Sequence, residues 1–305
     1  MALTAAQKED AQEVSAQDLA TKLRLEHRQE VELRELFRNM SADMLAFVGQ
    51  TGSAPNAQVY EDDVRGLLAR QGRRTAKAFS GRVVKHLESL DDDDPIIQDL
   101  TVIATALGLT VAAFLSNIRN DTLIKTQSFI ADQVARDTGF ITRTNQKQMD
   151  AAVLSSRAAL IESGEVPTNK AIAKASSKEF KTLAFNQRVP TIAATYTQKI
   201  AEGTKEIDTE AFLSSRNGFN ALQAGVSQAD EDQFWITFGD ELVRGSHAAA
   251  DSQPRLNGGW IVQNEFLRFP GDPNGSISNI ARCRCSGVTM IGGAVVGSTQ
   301  RNPTA

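Results

Sequence analysis

A mainly α-helical N-terminal region followed by a small α+β C-terminal module is the fold class this sequence predicts, and three observations predict it. Apolar residues recur at steps of three and four through roughly the first 200 positions, the period of a helix with one buried face. Alternation, the strand signal, first appears near Phe234-Trp-Ile-Thr-Phe238. Four of the eight prolines lie beyond residue 250, so turn chemistry is concentrated at one end. The expected division is a flexible tail over 1–20, a helical arm or bundle over 21–200 and an α+β module over 201–305 that folds on its own, with a protease-sensitive boundary around Glu202-Gly203 or Asn217-Gly218.

Each segment can be justified in order. Residues 1–20 are polar and start no periodic pattern. Leu33, Phe37, Met40, Met44 and Phe47 then form an apolar stripe that ends at Gly49-Gln-Thr-Gly-Ser-Ala-Pro55. A second amphipathic segment runs from Val59 to Leu90, its apolar face formed by Tyr60, Val64, Leu67, Leu68, Phe79, Val83 and Leu87. Its polar face carries Arg65, Arg70, Arg73, Arg74, Lys77, Arg82 and Lys85, the most basic patch in the chain; a solvated face balanced by the acidic loop that follows is the preferred reading, and a nucleic-acid surface the alternative. Asp91-Asp-Asp-Asp94-Pro95 stops that segment and forms a solvated acidic loop. Leu100 to Ile118 carries no charge and just reaches bilayer length. Its three Thr, Ser, Asn and Gly fit a helix buried in a bundle, and membrane insertion is not expected. Residues 120–215 are helical again, with a fresh start at Pro167-Thr168 and an interruption at Pro190. Gly259-Trp-Ile-Val262 and Val288-Thr-Met-Ile291 are further strand candidates.

Composition bounds function. A hydrophobic content of 41% and a charged content of 23% describe a soluble globular chain of 305 residues. The net charge of −4 argues against DNA as the main partner, because phosphate neutralisation needs a basic surface. Two cysteines at i, i+2 make no disulfide framework, which points to a reducing cytoplasm as the place of synthesis. The opening residues lack the basic and apolar regions of a signal peptide.

The stretch from Trp235 to Cys285 holds both tryptophans, both cysteines and one of the three histidines. Read as a helix from Asp240, the spacing Asp240, Arg244, His247, Asp251 puts two acids, a base and an imidazole on one face. His247 could serve as a general base oriented by Asp251. No nucleophile or oxyanion site accompanies them, so an Asp–Arg–Asp ion network around a core histidine is the preferred reading, and no catalytic residue is assigned. Cys283-Arg-Cys285 could offer two thiolates to zinc, with His247 and an aspartate completing the shell. Two buried thiols on a strand crossing the His247 helix is the simpler alternative, and the expectation is no cofactor. Pro270-Gly-Asp-Pro-Asn-Gly275 is turn chemistry without the spacing of a phosphate loop.

As an ordered set, Trp235, Asp240, Arg244, His247, Asp251, Phe266, Pro270, Gly271, Asp272, Cys283, Arg284 and Cys285 resemble the signature of the Mu F-like minor head proteins, the head morphogenesis proteins of tailed bacteriophages. Arg188-Val-Pro-Thr-Ile-Ala-Ala-Thr195 resembles the helix that precedes the module in that family. The chain departs from the family at Arg282, where Asn is usual, and at Tyr196, where Glu is common. The resemblance implies a minor structural protein of the virion, made in the host cytoplasm and placed at the portal vertex or head interior. Its implied partners are the portal protein and the major capsid or scaffolding protein, with DNA secondary, and some such proteins leave with the DNA on ejection. The rival readings are a metal-dependent hydrolase or toxin-like effector using His247 and the cysteines, and a DNA-organising protein using the basic face.

Overall fold

The structure, a computed structural model, describes residues 3–223, 233–291 and 293–297, the side chains of 216–223 excepted. Seven helices come first: α1 (Ala5–Thr51), α2 (Glu61–Phe79), α3 (Arg82–Glu88), α4 (Pro95–Ala106), α5 (Val111–Glu162), α6 (Asn169–Leu183) and α7 (Val189–Gln223). A small module follows, with strands β1 (Gln233–Ile236), β2 (Trp260–Val262), β3 (Glu265–Leu267), β4 (Ser286–Ile291) and β5 (Ala294–Val295) and the one-turn helices α8 (Gly245–Ala248) and α9 (Ile277–Ile280). Long helices followed by a few antiparallel strands are the predicted fold class.

The expected division along the chain is replaced by a discontinuous one. One compact unit joins Met1–Leu23, Thr75–Phe129 and Thr195–Ala305; the other joins Arg24–Arg74 and Ile130–Ala194. Residues 5–20 are no tail, because they form the first turns of α1 and bury Ala11, Val14, Asp18 and Leu19. Their polar composition hides a narrow apolar face. Glu202-Gly203 is no linker either: both residues are buried inside α7. A Cβ on Gly203 would sit 2.3 Å from the Phe129 ring, so the missing side chain is what lets α7 and α5 approach there.

In the second unit, Leu33, Phe37, Met40 and Met44 of α1 are fully buried, as their spacing requires. Phe47 is 42% exposed, and Val48 takes the next inward position. Phe37 stacks on Phe180 with ring centroids 6.1 Å apart. Pro190 does not interrupt the chain's course: a π-helical turn, Ala184–Arg188, joins α6 to α7 and takes up the irregularity that a missing N–H forces on the ladder.

In the first unit, the segment read as one helix from Val59 breaks at Gly81, whose φ of +70° separates α2 from α3. Asp94 caps α4 by accepting from Ile96 N at 2.9 Å, and Pro95 takes the first helical position. The uncharged stretch 100–118 turns by 88° between α4 and α5, at Gly108 with φ +70°, and Thr110 Oγ1 accepts from Ala113 N to restart the helix. Leu100, Ile103, Phe114, Leu115 and Ile118 are buried among Val83, Leu87 and Phe212. No single helix among the described residues is long and apolar enough to cross a membrane.

The three-stranded antiparallel sheet has the order β1-β4-β5, with Trp235 opposite Gly287 and Ile236 opposite Ser286. β1 is buried on both faces. Phe234 and Ile236 pack with Val288, Met290 and Val295 against Ala11 and Val14 of α1, while Trp235 points the other way, toward Trp260, Cys283 and Cys285. The N-terminal turns of α1 therefore complete the sheet's core. The β2-β3 hairpin turns at Gln263-Asn264, both with positive φ, the geometry of a two-residue turn that matches strand twist.

Candidate functional site

The sheet and two tight loops bring His247, Cys283 and Cys285 together. β1 leads into the loop 237–244, then into the single turn α8, which carries His247. The hoped-for helix from Asp240 to Asp251 is absent: only Gly245–Ala248 is helical, and Gly239 has φ +73°. Arg244, in extended backbone with ψ 146°, interrupts the helix that the charge spacing alone suggested. Cys283 and Cys285 lie in irregular backbone just before β4, not within a strand.

The three ligand-type side chains are 1–3% exposed. His247 Nδ1 lies 3.4 Å from Cys285 Sγ and 3.6 Å from Cys283 Sγ, and all three donor atoms fall within 4.8 Å of one another. Both cysteines are free. A hydrogen bond from Cys285, against burial and with help from His247, holds the Cys283 thiol below its ordinary range. The Cys285 thiol is pushed up by that same bond and by burial. Trp235 walls the site, its ring edge-on to His247 at 5.5 Å and to Trp260 at 5.7 Å. The Trp260 indole donates to Gln253 O at 2.9 Å.

The other motif residues hold the loops. Asp240 pairs with Arg284 at 2.6 Å rather than with Arg244. Arg244 instead donates to the carbonyl of Ala281, tying the start of α8 to the Cys-Arg-Cys segment. Asp251 does not join the cluster: it accepts from Thr237 N at 2.8 Å and pairs with Lys8 at 3.2 Å. Burial pushes its carboxyl up, and the bonds from Thr237 and Lys8 outweigh that and hold it down. The expected aspartate ligand is thus occupied elsewhere, and the Asp–Arg–Asp network is replaced by separate pairs. Asp272 is 1% exposed and knots the Pro-Gly-Asp-Pro turn by accepting from Arg268 N at 2.9 Å and Asn274 N at 3.0 Å. Gly271, at φ +83°, presses on Gln198, where a Cβ would lie 3.0 Å from Cγ. Pro270 O receives Gln198 Nε2 at 3.4 Å, and Phe266 is about half exposed on the hairpin.

Behind Cys285 lies a buried ionic network that sequence reasoning missed. Lys22 and Glu202, each 1% exposed, pair at 2.6 Å. Lys205 bridges Asp18 at 2.8 Å and Glu202 at 2.9 Å, and Arg82 pairs with Asp18. Glu202 Oε2 accepts from Gly287 N at 2.8 Å, and Lys205 donates to Ser286 Oγ at 2.7 Å, so the network grips β4. Gln198 Nε2 donates to Cys285 O at 2.7 Å, and Lys22 reaches the same carbonyl at 3.4 Å. Burial pushes the Asp18 carboxyl up, but Lys205, Arg82 and Lys22 prevail and hold it well below the carboxylate range. The detectable signal was the spacing of Asp18 and Lys22 at i, i+4 and of Glu202 and Lys205 at i, i+3, which on a helix reads first as a solvated face.

The basic patch is largely spent on internal pairs. Arg65 binds Glu61 at 2.6 Å, Arg74 and Arg70 face Glu32 at 2.6 and 3.8 Å, and Arg82 binds Asp18. Arg73, Lys77 and Lys85 are exposed. The patch is also divided, with Arg65 to Arg74 in one compact unit and Lys77 to Lys85 in the other. Comparison with protein-family models, curated proteins and solved structures returned no match.

Proposed function

We propose that this chain is a minor structural protein of a tailed-phage head, associated with the portal vertex or head interior and needed for head morphogenesis. The observation that supports it is the way the ordered motif residues are used. Asp240 holds Arg284, Arg244 holds the Ala281 carbonyl, Asp272 knots its turn, and His247 meets both cysteines. Residues scattered over fifty positions thus form one framework that fixes the loops of a small module. A signature spent on scaffolding suits a structural module better than a reaction centre.

The helices suit the same reading. α1 and α5, with 47 and 52 residues, are several times the length of an ordinary globular helix, which suits arms that dock on a ring of partners. Portal protein and major capsid or scaffolding protein are the partners this role requires. DNA stays secondary, since Arg65, Arg70, Arg74 and Arg82 already face carboxylates. The hydrolase reading gains little from the geometry, because a catalytic metal needs an open position facing a substrate and the three candidate ligands are buried. The protein composition of purified, washed particles tests the proposal: the chain should be present at low copy, and its absence would remove the role.

A further inference from the structure

We propose that His247, Cys283 and Cys285 bind a single zinc ion that locks the C-terminal module structurally. The inference is independent of the phage-head reading.

Geometry carries it. For tetrahedral bonds of about 2.3 Å to sulfur and about 2.05 Å to imidazole nitrogen, the nitrogen–sulfur edge works out at about 3.6 Å. The two edges in this structure, from one nitrogen to two sulfurs, are 3.4 and 3.6 Å. A hydrogen bond alone accounts poorly for that symmetry. One ring nitrogen offers one proton or one lone pair, and would settle on one sulfur. Three donors converging on one point is the arrangement of a ligand set.

The chemistry selects the ion class. Two thiolates and an imidazole are the soft-to-borderline donors that favour Zn²⁺ over Mg²⁺ or Ca²⁺. On binding, both thiols release their protons to solvent, two Zn–S bonds and one Zn–N bond form, and no oxidation occurs. Two thiolates and Zn²⁺ sum to zero charge, which a site of this burial can hold without a large desolvation cost. Beside the cluster, Gln198 Nε2 lies 4.0 Å from Cys283 Sγ, and Gln198 Oε1 is buried with no partner among the described residues. That oxygen is an unsatisfied buried acceptor close to the cluster.

The role follows from position. His247 is 36 residues from Cys283 in sequence, on the single turn α8, while the cysteines precede β4. An ion there clamps two loops that otherwise depend on Asp240–Arg284 and Arg244–Ala281.

The test uses the full chain purified without chelator. Elemental analysis should find about one zinc per chain. The apoprotein titrated with Co²⁺ should develop thiolate-to-cobalt charge-transfer bands and the intense d–d bands of a tetrahedral site. His247→Ala, Cys283→Ser and Cys285→Ser should each bring zinc to background and abolish those bands. Arg284→Lys, which retains all three ligands, should keep both signals and shows whether loop disturbance alone removes metal. Because a ligand variant can fail to fold, cobalt titration of the folded wild-type apoprotein stands by itself. Absence of tetrahedral bands there, or zinc retained by Cys283→Ser/Cys285→Ser, would overturn the assignment.

Discussion

Replacing Glu202 with glutamine should destabilise this protein far more than any surface substitution. Glu202 and Lys22 are each 1% exposed and pair at 2.6 Å; the same Oε1 receives Lys205 at 2.9 Å, and Oε2 receives the Gly287 amide at 2.8 Å. The network contains three cations, Lys22, Arg82 and Lys205, against two carboxylates, Asp18 and Glu202, a net of +1. Glu202→Gln raises it to +2. Lys205 keeps Asp18, but Lys22 loses its direct ionic partner while remaining buried. Breaking one side of a buried pair costs about 3–5 kcal/mol, against a total stability of about 5–15 kcal/mol. At roughly 2–4 °C per kcal/mol, Tm should fall by on the order of 10 °C. Asp121→Asn supplies the contrast: its Lys125 pair is nearly half exposed, and the change should cost less than about 0.5 kcal/mol. Urea denaturation monitored by far-UV circular dichroism, together with calorimetry, measures both. The double variant Lys22→Met/Glu202→Leu should recover most of the loss, because no unpaired charge remains buried. If Glu202→Gln lies within about 1 kcal/mol of wild type, or the double variant is no better than the single, the network is not holding β4.

Two other outcomes follow from the same packing. A fragment of residues 201–305 should not fold cooperatively, since it lacks Ala11 and Val14 from the sheet's core and Lys22 and Asp18 from the network; a native near-ultraviolet signal from Trp235 and Trp260 in that fragment would contradict this. Asp18 has its folded pKa depressed, so its contribution is fully present above the unfolded carboxylate value, about pH 4, and shrinks as pH falls toward the folded one. Asp18→Asn should therefore differ most from wild type at pH 7 and progressively less below pH 4 in urea denaturation, whereas a constant difference across that range would refute the linkage.

Much of the architecture was legible because it rests on periodicity. Leu33 to Met44 announced a buried helix face, and Phe234, Trp260 and Val288 marked strands β1, β2 and β4. β3 and β5, of three and two residues, escaped; β2 is as short as β3, but the apolar run Trp260-Ile-Val262 after two glycines marked it. The meeting of His247 with the cysteines followed from the crowding of rare residues, yet the helix drawn through Asp240 and Asp251 was a coincidence of charge spacing across the extended backbone at Arg244. Residues 5–20 looked like a tail because Asp18 and Lys22 count as polar, and only their long-range partners on α7 and β4 make them core. Non-local ion pairing leaves no local pattern, so that part had to come from the structure.

The proposed role in a phage head is tested most directly by quantitative mass spectrometry of purified, intact virions from a host producing this chain, before and after DNA release. The chain is expected in the intact particles, at low copy relative to the major capsid protein. Particles that are infectious, washed and devoid of this chain would contradict it.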